Sequence, residues 1–270
     1  MYQIKRIAVA VDFKEVSLNA VSKAIQLANV FGASLAIIHA VSPSASKNKK
    51  AEFVSEAYTR LKDLQQTLMA DHNNSLTIFS RVGEVDDFLY EYCLKNHTDL
   101  LVIGKETGER KIFSESKAYQ IIMKVECPVL SIPAQLEGVY FTKILFPVRG
   151  VIGVKEKLLY SMPYLHKMGS ILHMMIFGLP KAEQIRDVAE IANKEDIFFE
   201  PPDWDQLSEK DIPGQILRCA SKVNAGLIVI NATSEKEWYR LLGENYTESL
   251  LRASSVPLLS ITHRYQSISD

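Results

Sequence analysis

Two pairs of apolar runs, arranged alike, constrain this chain more than any other feature. TDLLVIG at 98–104 is followed by CPVLSIP at 127–133, and AGLIVIN at 225–231 is followed in the same way by VPLLSIT at 256–262. Each pair consists of an unbroken apolar run, a polar loop with a helical stretch, and a second apolar run led by Pro128 or Pro257. A third echo supports the register: KRIAVAVD at 5–12 and KILFPVRG at 143–150 both set a short apolar strand behind a basic residue. The chain therefore reads as a duplication, and each copy, 1–135 and 140–270, has the size of one domain. What differs between the copies is then the guide to function.

Within the first copy, strands are expected at Ile4–Val11, Ser34–Ala40, Ser75–Val82, Leu100–Gly104 and Val129–Ile132. Apolar residues spaced by three and four mark helices over Glu15–Phe31, Lys49–Asp71, Val85–Asn96 and Ser114–Val125. A run such as Leu100–Ile103, apolar at every residue, is buried on both faces, the condition of a parallel strand sandwiched between helices. The second copy repeats the alternation with strands at Lys143–Val148, Ser170–Ile176, Asp196–Phe199, Leu227–Asn231 and Pro257–Ile261. Its second helix, over Lys181–Asn193, is shorter, and EPPDWD at 200–205 reads as a Pro-stiffened loop. The expected fold is α/β: two doubly wound domains, each a five-stranded parallel sheet with helices on both faces. Such a sheet binds ligands at the carboxyl ends of its strands, where the strand order reverses. The linker PAQLEGVYFT at 133–142 is short enough to hold the halves side by side.

Composition excludes several classes. With 31 basic and 32 acidic residues the net charge is -1, which leaves no field to attract nucleic acid or an anionic membrane. No apolar run approaches the ~20 residues needed to span a bilayer, and no leader precedes the first strand, so a cytoplasmic protein is expected. Cys93, Cys127 and Cys219 have no metal-ligand spacing and read as reduced buried thiols. No metal site is expected. The P-loop, dinucleotide-binding, zinc-protease and nucleophile-elbow motifs are absent, so no catalytic residue is assigned.

The segments IAVAVDF, VSLNAVSKAIQLANVFGASLAIIHAV at 16–41, DLLVIGK and CPVLSIP together resemble the universal stress protein family, in its tandem form with two family domains on one chain. The resemblance covers nearly the whole sequence. It implies a flavodoxin-like or adenine-nucleotide-hydrolase-like fold and pairing through the last strand, within one chain or between two as a homodimer. It also implies a family in which some members bind ATP and others do not. In binders an acidic residue ends strand one, and phosphates lie on a loop written G-x2-G-x9-G followed by Ser or Thr. Glycines suit such a loop because the backbone N–H groups and the next helix N-terminus must approach the phosphates closely.

By that resemblance the first copy offers Asp12, Ala40 and Val41 to the adenosine part of an AMP or ATP ligand, and Gly104, Gly108 and Ser116 to its phosphates. Its loop departs from the pattern, being short, with Gly108 displaced and Glu115 in place of the last glycine. Lys105, Arg110 and Lys111 read as solvated surface charges. Asp12 has two open roles, a nucleotide contact or a cap for the first helix, with Ser17 a competing cap. His39 reads as a satisfied buried side chain. In the second copy Arg149 replaces the acid, Asn231 and Ser234 replace glycines, and Glu244, next to Gly243, occupies the last glycine position as Glu115 does in the first. Arg149 is either an ion-pair partner or, with Ser234 and the helix after Gly243, part of an altered anion site.

The expected function is a stress-response or regulatory protein, not an enzyme, with weakened adenine-nucleotide binding in the first copy and none in the second. A slow ATPase or phosphoryl-transfer enzyme and a non-nucleotide interaction scaffold with a protein partner are the alternatives. The strands Val129–Ile132 and Pro257–Ile261 are expected to pair, since each would otherwise be an exposed sheet edge.

Overall fold

The computed structural model describes residues 2–42, 50–70, 74–106, 116–149, 154–177, 186, 189–190, 193–194, 198–203, 211–232 and 246–262. In the first half β1 (Arg6–Ala10), α1 (Glu15–Phe31), β2 (Ser34–Val41), α2 (Lys50–Leu68), β3 (Leu76–Val82), α3 (Val85–Lys95), β4 (Leu100–Lys105), α4 (Lys117–Lys124) and β5 (Val129–Pro133) alternate strictly. In the second half come β6 (Lys143–Arg149), α5 (Val154–Met168), β7 (Ile171–Phe177), β8 (Phe199–Asp203), α6 (Ile212–Val223), β9 (Leu227–Ala232), α7 (Tyr246–Ala253) and β10 (Leu258–Thr262).

Local chemistry explains the best-read element, α1. Ser17, Ala20, Val21, Ala24, Leu27 and Ala28 recur at three and four residues and are buried, so one stripe faces the sheet. The helix stops because Gly32 takes φ +69°, a left-handed conformation that costs a residue without Cβ little. The next amide, Ala33 N–H, then donates back to the Ala28 carbonyl at 2.8 Å and closes the end.

All ten strands form one sheet in the order β3-β2-β1-β4-β5-β10-β9-β6-β7-β8. The order is a palindrome: 3-2-1-4-5 meets its mirror image at the centre. Pairing is parallel within each half, and β5 meets β10 antiparallel, with Leu130 opposite Leu259. The expected seam between last strands is therefore the middle of the sheet, and β5 and β10 are each flanked on both sides. Helices α1, α2 and α5 cover one face and α3, α4, α6 and α7 the other. Each core layer crosses the seam: Leu130 and Leu259 point into the first, Val129 and Leu258 into the second. The linker is pinned rather than loose. Asn19 Nδ2 donates to the Pro133 and Ala134 carbonyls at 3.2 and 3.0 Å, and Lys23 Nζ donates to the Glu137 carbonyl at 2.9 Å.

One strand differs from expectation. The third strand of the second half is Phe199–Asp203, not Asp196–Phe199, so part of the supposed Pro-stiffened loop is strand. Pro201 and Pro202 lack amide donors, and such residues are tolerated at the outer edge of a sheet, where β8 lies. The register slips between His173 and Met175 opposite this segment, as expected where prolines interrupt the ladder. The helix expected over Lys181–Asn193 lies largely outside the described residues. Cys93 and Cys127, distant in sequence, meet in the core: the Cys93 thiol beside it and burial both push the Cys127 thiol up. Cys219 is half-buried rather than buried.

Candidate functional site

In the first half the strand order reverses between β1 and β4, and the crevice expected there is present. A cavity of about 600 Å³ opens at the carboxyl ends of β1, β2 and β4. Among the described residues its walls include Asp12, Ala40, Gly104 and Ser116, which the fold brings together from four elements or their flanking turns. Val41 is not among them: it is buried, and adjacent residues of a strand face opposite sides. Gly108, with Glu115, Arg110 and Lys111, lies outside the described residues, as do Ser234, Gly243 and Glu244 of the second half.

The turn after β1 sets Asp12. Phe13 adopts φ +62°, a costly conformation for a bulky L-residue that needs its surroundings to hold it. They do so from both sides. The Arg60 guanidinium lies 4.0 Å from the Phe13 ring centroid, and the His39 ring lies at 4.8 Å. His39 is in turn fixed, half-buried rather than buried, with its Nδ1 2.8 Å from the Val11 carbonyl, which satisfies that nitrogen. Asp12 Oδ1 accepts the Lys14 amide at 3.0 Å and the Ser17 hydroxyl at 2.6 Å, while the Asp12 amide donates to Ser17 Oγ at 3.1 Å. These bonds make Asp12 the anchor of the turn; α1 itself starts behind Lys14 without a side-chain cap, so the helix-cap role is not the one it takes. Burial raises the Asp12 carboxyl, but the Ser17 and Lys14 hydrogen bonds and the Lys14 charge outweigh it and leave the carboxyl below its ordinary value.

Gly104 has a packing reason that its sequence context did not reveal. A Cβ there would stand 2.7 Å from the Val16 carbonyl oxygen, so only glycine lets the end of β4 lie against the first turn of α1. Ser116 is the N-cap of α4, its Oγ accepting the Tyr119 amide at 3.1 Å. Its amide and hydroxyl are already engaged by a carboxylate from the other half, Glu248 of α7.

Lys105 overturns an expectation. It is not a solvated surface charge but 2% exposed, with Nζ donating to the carbonyls of Leu251 at 3.3 Å and of Ser254. Burial lowers its ammonium to about 7. The carbonyls at the end of α7 carry the negative pole of that helix, which is why a buried cation settles there. Leu251 and Arg252 of α7 also line the cavity. Sequence reasoning missed these second-half residues because nothing local marks a contact made across the seam. Lys105 carried one overlooked signal: it directly follows a strand apolar on both faces.

Chemically the cavity joins an apolar wall, with Ala10, Ile38, Ala40 and Ile103, to a polar rim with Asp12, Lys14 and Ser116, the combination that holds a flat ring with hydroxyls. Among the described residues no group of three or more His, Cys, Asp or Glu could hold a metal ion, and no helix is long and apolar enough to cross a membrane.

The universal stress protein family model matches residues 3–133. The first half of the chain belongs to the universal stress protein family. Over its whole length the chain is similar in fold to a universal stress protein from Archaeoglobus fulgidus DSM 4304, at 16% identity and a TM-score of 0.79, covering 97% of this chain and 99% of that one. A protein of Pseudomonas aeruginosa UCBPP-PA14 assigned to the universal stress proteins follows at 15% identity and 0.64, covering 96% and 93%. A protein of unknown function from Pseudomonas aeruginosa PAO1 has 14% identity and 0.63, covering 96% and 92%. None of the curated proteins matches. The tandem form, two universal stress protein folds on one chain, thus accounts for 97% of the chain.

Proposed function

We propose that this tandem universal stress protein is a regulatory binding protein, not an enzyme, whose first half holds an adenine ligand weakly and whose second half holds none by the family mode. The observation that carries the reading is the cavity walled by Asp12, Ala40, Gly104 and Ser116. Ala40 and Ile38 leave room for a flat ring, and the Asp12 carboxylate, kept ionised by Ser17 and Lys14, is placed to accept hydroxyls. The lack of the common catalytic motifs in the sequence supports a binding role.

For the second half the register supplies the support. Pro147 pairs with Met175 as Ala10 pairs with Ile38, so Phe177 stands where Ala40 does and Arg149 where Asp12 does. A buried phenyl ring in place of a methyl group fills the position that would border adenine. Native mass spectrometry of protein incubated with excess adenosine or AMP tests the reading. One equivalent of an adenine ligand per chain, lost in Asp12→Ala, is expected; two equivalents, or one that survives that substitution, would refute it.

A further inference from the structure

Glu248 is the third residue of α7, in the second half, yet its carboxylate serves the first. It is 7% exposed. Oε1 accepts the Ser116 amide at 3.0 Å and Arg252 Nε at 2.8 Å, and Oε2 accepts the Ser116 hydroxyl at 2.8 Å. Ser116 and Arg252 both line the cavity. An anionic group entering from β4 toward α4 would seek these donors, since they combine a helix N-terminus, a hydroxyl and a guanidinium. A carboxylate built into the chain holds them already. Displacing it would cost a buried carboxylate its two hydrogen bonds from Ser116, and leaving it in place would set two anions side by side. Two other cations at the rim are committed as well: Lys14 Nζ lies 3.3 Å from Asp12 Oδ2, and Lys105 faces the end of α7. Glu106 adds a further negative charge to the same rim, and Lys117 a positive one.

We propose that Glu248 sets the ligand class of the first-half cavity, admitting nucleosides in preference to their triphosphates by occupying the place of the phosphates. The inference rests on the adenine reading given above and adds to it the group that selects among adenine ligands. It assigns a specificity-determining role to a residue of the half that has no adenine site of its own.

Calorimetric titration of the full chain with adenosine and with ATP tests this, using the unsubstituted protein, Glu248→Gln and Glu248→Ala. Gln keeps the shape and one acceptor for Ser116, and Ala removes both, so at least one variant reports on charge apart from packing; melting curves identify which variants are folded. The unsubstituted chain is expected to bind adenosine about tenfold or more tightly than ATP. Both variants should bind ATP about tenfold more tightly than before, with adenosine shifted by less than about threefold. Equal affinities in the unsubstituted protein, or a gap unchanged in every folded variant, would overturn the role of Glu248 and leave the adenine reading standing. Failure of either ligand to bind any of the three proteins would overturn the adenine reading and this inference with it.

Discussion

The two switch points of the sheet, β1 beside β4 and β6 beside β9, began from the same plan and have separated. In the first, Ile7–Val9 pairs with Leu100–Val102, and beyond Val9 the strands part around small side chains, Ala10, Ala40 and Gly104. In the second, the ladder covers only Ile144–Leu145 against Leu227–Ile228, and the corresponding positions hold Pro147, Phe177 and Asn231. The first crevice is bordered by small side chains, and the corresponding second-half positions hold larger ones. The strand order is the same in both halves, so what stands at the strand ends can change without damage to the fold.

The largest test of that comparison concerns what filled the second half. Lys157 stands where α1 has Ala20, is 4% exposed, donates to the Pro147 carbonyl and lies 4.3 Å from the Phe146 ring centroid. Burial lowers its ammonium to about 7, from 10.5. Between those values the unfolded chain holds a proton that the folded chain lacks, so stability rises with pH across this window. Each such lysine contributes a slope of up to ~1.4 kcal/mol per pH unit. Lys105 contributes in the same direction. Lys157→Met is expected to roughly halve the climb in unfolding free energy between pH 7.5 and pH 9.5, measured by urea titration. A variant destabilised equally at both pH values would show that the buried ammonium is not the source.

Next in size is Gly104→Ala, which drives a methyl group against the Val16 carbonyl and should cost about 1–3 kcal/mol. The matching Asn231→Ala, at a position that already carries a Cβ, should cost less. Equal losses in urea unfolding would remove the packing difference between the two crevices.

Asp12→Asn should lose about 0.5–1.5 kcal/mol, because the neutral side chain holds the Ser17 hydroxyl and Lys14 amide less well. The sign with pH is definite: a depressed carboxyl stabilises above the ordinary 3.8 and loses that contribution as pH falls below it, so variant and parent should converge in acid. A constant gap down to pH 2 would contradict this.

The smallest effect is expected at the seam. Ser131 and Ser260 are buried on either side of the Leu130–Leu259 pair, and their hydroxyls have no hydrogen-bond partner among the described residues. Ser131→Ala and Ser260→Ala should change the melting temperature little and upward, each within about 1 kcal/mol of neutral. A large loss at either would show that the seam depends on polar contacts, and not on its apolar layers.

The sequence made the alternation of elements legible because its signals are local. The limits of α1 follow from a three-and-four spacing and Gly32, and the seam follows from two apolar runs that needed cover. The outer strand β8 was misplaced because Pro201 and Pro202 normally mark loops, and only its position at a sheet edge lets them stay. Asp12 and Ala40 could be placed at the crevice because they stand at strand ends and match positions that the family resemblance marks. Lys105 and Glu248 could not, since their partners are 146 and 132 residues away and belong to the other half.

The tether between the halves has one more consequence. In a pair of identical chains every substitution appears twice, so a carboxylate introduced at one pocket is introduced at both. The third residue of α4 is Tyr119 and the third residue of α7 is Glu248. That asymmetry is open only to a molecule that encodes each member of the pair separately, and it lets a residue of one half hold the rim of its neighbour's cavity with no counterpart on the other side.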